Sequence, residues 1–487
     1  MTIEDGVAAA RAHRAAHGAR IVRDLADLCA IPNVSSDAAG IERNAEHLRA
    51  MLAARGVEVS LRRVDDAAPL IVGRLEQPNA TRSVGLYLHY DGQPVNPERW
   101  RQDPFTPTLY TRLPRDGGRP RPLPEDGEDL DPEWRLYARG VADDRAPAIA
   151  ICHALDALRA RGLEPTVNLV FAWEGEEEVG SPNLGRLLED NADDLAADVW
   201  HICDGPVHQS RRAQIVLGVR GYSGCDLTVY GPARELHSGH YGNWAHNPAM
   251  TLVRLLATMK DADGTITVEG IDRAGRAPTT AEIDAARALA DIDEPLLEEL
   301  AMHRRERRGE AWAESLLSTS LNVRGLAAAD TGAAARNVVP ATATASLDLR
   351  LAPGAEPAAV IDMVAEHLRR HGAHVVEDPP DEEIRRQHPV VVWLQRDVGY
   401  PGVRTSPDHP TAQAALAAAR AAAGHEPYLL PTFGGSVPLH HFTTRLRAPV
   451  VITPMANHDD DQHAPDENLR IGNLEYGVDL MAAVMSG

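Results

Sequence analysis

Cysteine is sparse in this 487-residue chain, and the four present, Cys29, Cys152, Cys203 and Cys225, show no CxxC spacing. That scatter speaks against a thiolate metal cluster and against a disulfide framework, and points to reduced thiols in a reducing compartment. Positive charge is also in deficit: 49 Lys and Arg stand against 71 Asp and Glu, for a formal net charge of -22. A surface of that sign repels phosphate backbones and anionic bilayers, so neither nucleic acid nor membrane is an expected partner. Long apolar runs are missing. No stretch approaches the length of a membrane span, and the charged opening MTIEDGVAAARAHRAAHGARIVRDL lacks the continuous apolar region of a secretion signal. These features predict a cytoplasmic location. Internal repeats are not evident, nor is any low-complexity tract beyond Ala-rich helices.

What is present suffices for more than one core, because the length exceeds one ordinary domain. Helices are expected at 1–30 and 42–56, and apolar strands at 83–90, 167–173 and 197–203, with a helix at 146–162 stopped by Gly162. Strand, helix, strand in this rhythm predicts an α/β domain with a doubly wound, mostly parallel sheet. The Pro- and Gly-rich stretch 112–134 reads as a long surface excursion within it. Past residue 214 the texture changes: 220–231 and 341–351 alternate like half-exposed strands, and 247–260 and 357–372 are amphipathic helices. That order suggests an α+β sandwich with one sheet face covered. After about residue 398 the α/β texture returns, with a helix at 411–424, the strand PVVITP and a final helix near 474–485. The expected organisation is therefore a catalytic domain in two parts, 1–214 and 399–487, with an inserted domain at 215–398.

Clusters of potential metal ligands follow the strands. His89 and Asp91 stand in LHYDGQP, Glu177 and Glu178 in FAWEGEEEVGS, and Asp204 in HICDGP. In open α/β sheets the carboxyl edge is where ligands bind. Asp143 in ARGVADDRAP precedes a helix, and NHDDDQHAPDE offers both His458 and His463. Imidazole and carboxylate without thiolate suit Zn²⁺ and also Mn²⁺ or Co²⁺. Each cluster alone has a plainer reading: a solvated acidic loop, a His and Asp sharing one strand face, an Asp capping a turn. Their convergence on one sheet edge favours the metal.

The segments HYDGQPV, ARGVADDRAP, WEGEEEVGSPNL, RELHSG, ARNVVPATATASLDLR, GGSVP and QHAPDE, in that order, resemble the M20 family of di-zinc metallopeptidases on the carnosinase-like dipeptidase side. The likeness spans nearly the whole chain. It implies that His89 and Asp204 bind one metal, that Glu178 and His463 bind the other, and that Asp143 bridges them. Glu177 would be the general base that deprotonates a metal-activated water, and Asp91 would orient the His89 imidazole. The inserted domain would act as lid and dimerisation domain, with His237 reaching the other subunit's active site. Asn337, Arg350, Gly435 and Ser436 match substrate-contacting positions. Glu174 and Glu176 are expected to be solvated or to support the ligands. The chain departs from the family at Gly92, where Val is common, and at Arg145 and Ala146 of the usual DDKG. The implied activity is hydrolysis of dipeptides or short peptides. Deacylation of N-acyl amino acids by the same chemistry is the alternative, and metal-dependent binding without turnover a third reading.

Overall fold

The computed structural model describes residues 1–487 apart from 308, 436 and 438. It divides into two compact units: Met1–Gly218, Thr405–Pro431 and His441–Gly487 form one, and Val219–Arg404 with Thr432–His440 the other.

The first unit is built on an eight-stranded sheet in the order Glu58–Arg62, Leu70–Leu75, Asn168–Glu174, Ser83–His89, Val199–Ile202, Val450–Ile452, Gln214–Val216, Tyr428–Leu430. Its centre is parallel from Asn168–Glu174 to Val450–Ile452, and antiparallel pairing enters toward both sides. The central strands are buried almost throughout, as parallel strands covered on both faces are. Helices Ile3–Cys29, Ala146–Ala160 and Ile471–Val484 pack together, and Leu25, Ile149, Leu155 and Val478 share one core with Leu86, Leu88, Phe171 and Trp173 of the strands. The first helix starts where Thr2 and Asp5 exchange capping hydrogen bonds.

Register matters for function. His89 pairs with Glu174 across parallel strands, and Tyr87 with Ile202, so the loops carrying Asp91, Glu177, Glu178 and Asp204 all leave the sheet at the same edge.

The stretch 112–134 is largely exposed, as a surface excursion is, and contributes one short strand. Pro120–Arg121 joins Thr108–Tyr110, Arg135–Tyr137 and Asn468–Arg470 in a four-stranded sheet, and the Arg121 guanidinium lies over the Trp134 ring at 3.5 Å. Three of these four strands are close in sequence. The fourth comes from more than three hundred residues away, a pairing no local pattern can announce.

The second unit carries a five-stranded sheet ordered Ser320–Ala327, Thr342–Leu351, Gly221–Tyr230, Val391–Asp397, His374–Val376. Helices Pro248–Ala257 and Pro357–Arg370 cover one face, where Leu252, Val360, Val364 and Leu368 pack on Leu227, Leu347 and Leu349. The strand Thr342–Leu351 alternates strictly between buried and half-buried residues, as a sheet with one covered face requires.

Candidate metal centre

Two groups of side chains converge at the carboxyl edge of the first unit's sheet. Ligand atoms of His89, Asp144 and Asp204 lie within 4.8 Å of one another, and so do those of Asp143, Glu178 and His463. Asp143 joins the groups: one carboxylate oxygen is 2.9 Å from His89 Nε2 and the other 3.0 Å from His463 Nε2. His463 Nε2 is also 3.2 Å from Glu178. Asp144 enters through proximity to His89 and Asp204. The family likeness leaves it out of the ligand set, although it adjoins Asp143 in ADDR.

The glutamate run resolves into four separate tasks. Glu174 ends its strand, and Glu177 and Glu178 lie in the one-turn helix Glu177–Val179 that follows. Glu174 is buried and accepts a 2.6 Å hydrogen bond from the Tyr87 hydroxyl. Glu176 accepts from the Ala68 backbone N–H and from Asn183 Nδ2, each at 2.9 Å. Neither is a solvated charge. Glu177 reaches to 4.0 Å from His89 Nε2, and Glu178 accepts a 2.7 Å bond from Gln93 of the HYDGQP loop.

Asp91 holds this pair in place. Its carboxylate accepts the backbone N–H of Glu177 and that of Glu178, both at 3.1 Å, and the Ser35 hydroxyl at 2.8 Å. One of its oxygens also lies 3.4 Å from His89 Nδ1, so the Nε2 side of that ring faces Asp143. Two of the three family departures, Gly92 and Arg145, have local causes. A Cβ at Gly92 would fall 2.7 Å from the buried Asn33 amide, which is fixed by its bond to the Tyr90 carbonyl. Arg145 is fully buried: Nη1 donates to the carbonyls of Leu28 and Ile31, Nη2 to that of Arg139 and Nε to that of Gly140, a reach that a lysine's single ammonium does not reproduce.

Electrostatics show what the site asks for. Desolvation pushes the Glu177 and Asp144 carboxyls well above the carboxylate range and Asp204 up to about 7, with neighbouring acids adding to each. Asp143 is equally desolvated, yet hydrogen bonds from His463 and His89 hold it below that range. The His463 imidazole is raised to about 10 by Asp143 and then Glu178. Among the described residues, Asp143, Glu177 and Glu178 form ion pairs with His89 or His463, Asp144 and Asp204 form none, and none of the five pairs with Lys or Arg. Five acids against two imidazoles leave negative charge that divalent cations would neutralise, and the all-nitrogen and oxygen donor set suits them.

The remaining expected residues lie elsewhere. His237 is exposed in the second unit, where its Nδ1 caps the short helix Ser238–Tyr241 by accepting from Gly239 N–H at 3.1 Å. Asn337 is exposed, and its carbonyl accepts from Ser238 N–H. Arg350 is half-buried, ion-paired with Asp348 at 3.2 Å and placed over the Tyr222 ring. Gly435 is exposed, with nothing within 4 Å of where a Cβ would sit. Ser436 lies outside the described residues.

The family described as peptidase family M20/M25/M40 matches residues 85–487. A Cys-Gly metallodipeptidase of Schizosaccharomyces pombe is 26% identical over 422 residues, which cover 85% of this chain and 81% of the relative. The human Beta-Ala-His dipeptidase is 27% identical over 432 residues, covering 85% of this chain and 76% of its own. Among solved structures, an M20 family metallo-carboxypeptidase from Sulfolobus solfataricus superposes with a TM-score of 0.76 at 25% identity, covering 96% of this chain and 98% of that one.

Proposed function

Because the chain belongs to peptidase family M20/M25/M40, we propose that the two converging side-chain groups hold the metal pair with which it cleaves dipeptides. The protein is a metal-dependent hydrolase of the dipeptide amide bond. In this reading His89 and Asp204 hold one cation, Glu178 and His463 the other, and Asp143 both. The carrying observation is that Asp143 offers one oxygen toward each imidazole. Zn²⁺ is the expected ion, with Mn²⁺ or Co²⁺ as substitutes the donor set also accepts.

Two such cations, when bound, polarise the scissile carbonyl and make water acidic enough to be deprotonated near neutral pH. The chain supplies the rest. Glu177 takes the water proton on its carboxylate and delivers it to the leaving amine nitrogen. Asp91 keeps Glu177 and Glu178 on their separate tasks by holding both backbone N–H groups. By the family motifs, Arg350 would grip the substrate carboxylate, a bidentate role suited to a guanidinium, and Asn337, Gly435 and Ser436 would be substrate-contacting positions.

We assign the second unit, Val219–Arg404 with Thr432–His440, as lid and dimerisation domain; the expected 215–398 leaves out the second of these segments. Exposed apolar side chains support a homodimer through it: Trp244 at 79%, Met250 and Val253 three apart on one helix, and Val323 and Leu326 on the outermost strand. His237 of the partner subunit would then donate to the carbonyl oxygen as it gains charge. A reducing, cytoplasmic setting suits four buried, unpaired cysteines, and no helix among the described residues is long and apolar enough to cross a membrane.

Assay of a dipeptide panel beside an N-acyl-amino-acid panel, each with Zn²⁺, Mn²⁺ and Co²⁺, tests the reading. Metal-dependent turnover of dipeptides is expected. Turnover of N-acyl amino acids alone would transfer the same chemistry to deacylation, and turnover of neither would leave a binding protein.

A further inference from the structure

Four residues beyond His463 in QHAPDE stands Glu467, a carboxylate with no solvent exposure. Its environment is a set of donors from one turn. Oε1 accepts the backbone N–H of Ala142 at 2.9 Å and of Asp143 at 3.1 Å, and Oε2 accepts the N–H of Gly140 at 2.7 Å and Arg139 Nη1 at 2.9 Å. Two acceptor positions on each oxygen are thus filled, the full capacity of an ionised carboxylate. Three of the four donors belong to the backbone that presents Asp143.

The loop at the other end needs such a tie. Asp461, His463 and Asp466 all have left-handed φ, at 55°, 62° and 66°, a conformation that costs residues with a Cβ about 1 kcal/mol or more each and persists only where surrounding contacts enforce it. Gln462 donates to an Asp143 oxygen at 2.6 Å, the Ala464 carbonyl accepts from Arg139, and Asp460 closes the loop on Asn468. The loop bearing His463 and the turn bearing Asp143 are therefore cross-linked through Glu467.

We propose that Glu467 is a positioning residue that sets Asp143 against His463, so that both ligand loops assemble as one unit. The inference rests on the metal-holding roles proposed for Asp143 and His463, and concerns a residue that would touch neither metal nor substrate. An amide in its place keeps one acceptor oxygen and turns an NH₂ group toward two N–H donors. The Arg139 ion pair is a separate function of the same carboxylate, and Arg139→Met removes it, together with the Arg139 bond to the Ala464 carbonyl, while leaving the three backbone N–H donors in place.

The experiment is a chelator competition with Zn²⁺ on metal-free protein, paired with the visible spectrum of the Co²⁺-loaded protein. Wild type first sets the scale: if it binds fewer than two ions, the metal reading fails and takes this inference with it. With wild type binding two, Glu467→Gln should weaken binding by about ten- to a hundredfold and alter the Co²⁺ spectrum, as loss of a group that orients metal ligands does. Arg139→Met should lower the melting temperature yet keep wild-type affinity and spectrum. Should Glu467→Gln not fold, Glu467→Asp, which keeps the charge but falls one methylene short, should show the same loss. A folded Glu467 variant with wild-type affinity and spectrum would overturn the inference alone, as would an Arg139→Met variant whose metal loss equals that of Glu467→Gln.

Discussion

At the residue scale, one short acidic run carries four different environments. Glu174 is buried against a tyrosine, Glu176 ties two loops, and Glu177 and Glu178 share Asp91 as the acceptor of their backbone N–H groups. This separation yields a test of which carboxylate moves protons. Glu177→Gln preserves shape and removes the proton acceptor, so turnover should fall by about a hundredfold or more while both ions stay bound. Glu178→Gln should instead release metal. Elemental analysis beside steady-state kinetics reads both, and exchanged phenotypes would reverse the assignment. The pair was legible in the sequence as an acidic cluster after a strand, but its directions were not, because Glu177 and Glu178 lie in a one-turn helix beyond the strand's last residue, Glu174. Glu467 was not legible, although QHAPDE contains it, because three of its four donors are backbone N–H groups more than three hundred residues away and backbone leaves no mark in side-chain spacing. Nor does the sequence reveal that Asp144 comes near His89 and Asp204, because that depends on which way one carboxylate turns within the Asp143–Asp144 pair.

At the scale of elements, the helices and central strands fall close to where periodicity puts them, since each buries one regular face. The helices from Thr280 to Ser315 and the strand Ser320–Ala327 had no such signal; that strand is largely exposed. The first helix holds a feature that composition hides. Its backbone leaves helical geometry at His17, and beside the kink His13 Nε2 lies 3.2 Å from His153 Nδ1, whose ring bonds Asp24 at 3.0 Å. Burial, followed by the neighbouring His153 and His17, lowers the His13 pKa to about 4. The folded value lies below the unfolded value near 6.5, so the unfolded chain takes up the proton first as pH falls. Stability present above pH 6.5 should therefore be lost between about 6.5 and 4, on the order of 1–2 kcal/mol after screening of this half-buried ring. Thermal melts of metal-free protein across that range should show a smaller decline in His13→Gln than in wild type. An identical decline would place the sensitivity elsewhere.

At the scale of the whole molecule, the metal-site carboxylates lie in the first unit, and His237 and several exposed apolar side chains lie in the second. If His237 serves the partner's site, a His237→Ala chain joined to a Glu177→Gln chain puts both lesions in one site and leaves the other intact. Co-expressed heterodimers should then recover up to about half of wild-type activity per dimer. Confirmed heterodimers as inactive as both parents would leave His237 acting within its own chain or on structure alone. Beneath all of these expectations lies the claim that a buried excess of carboxylate exists to hold two cations. Titration of metal-free protein with Zn²⁺, following dipeptide hydrolysis and bound metal together, tests it most directly. Activity should rise from near zero to a plateau at about two ions per chain, and Asp143→Ala should abolish that plateau. Full hydrolysis without metal, or two ions retained by Asp143→Ala, would contradict the account.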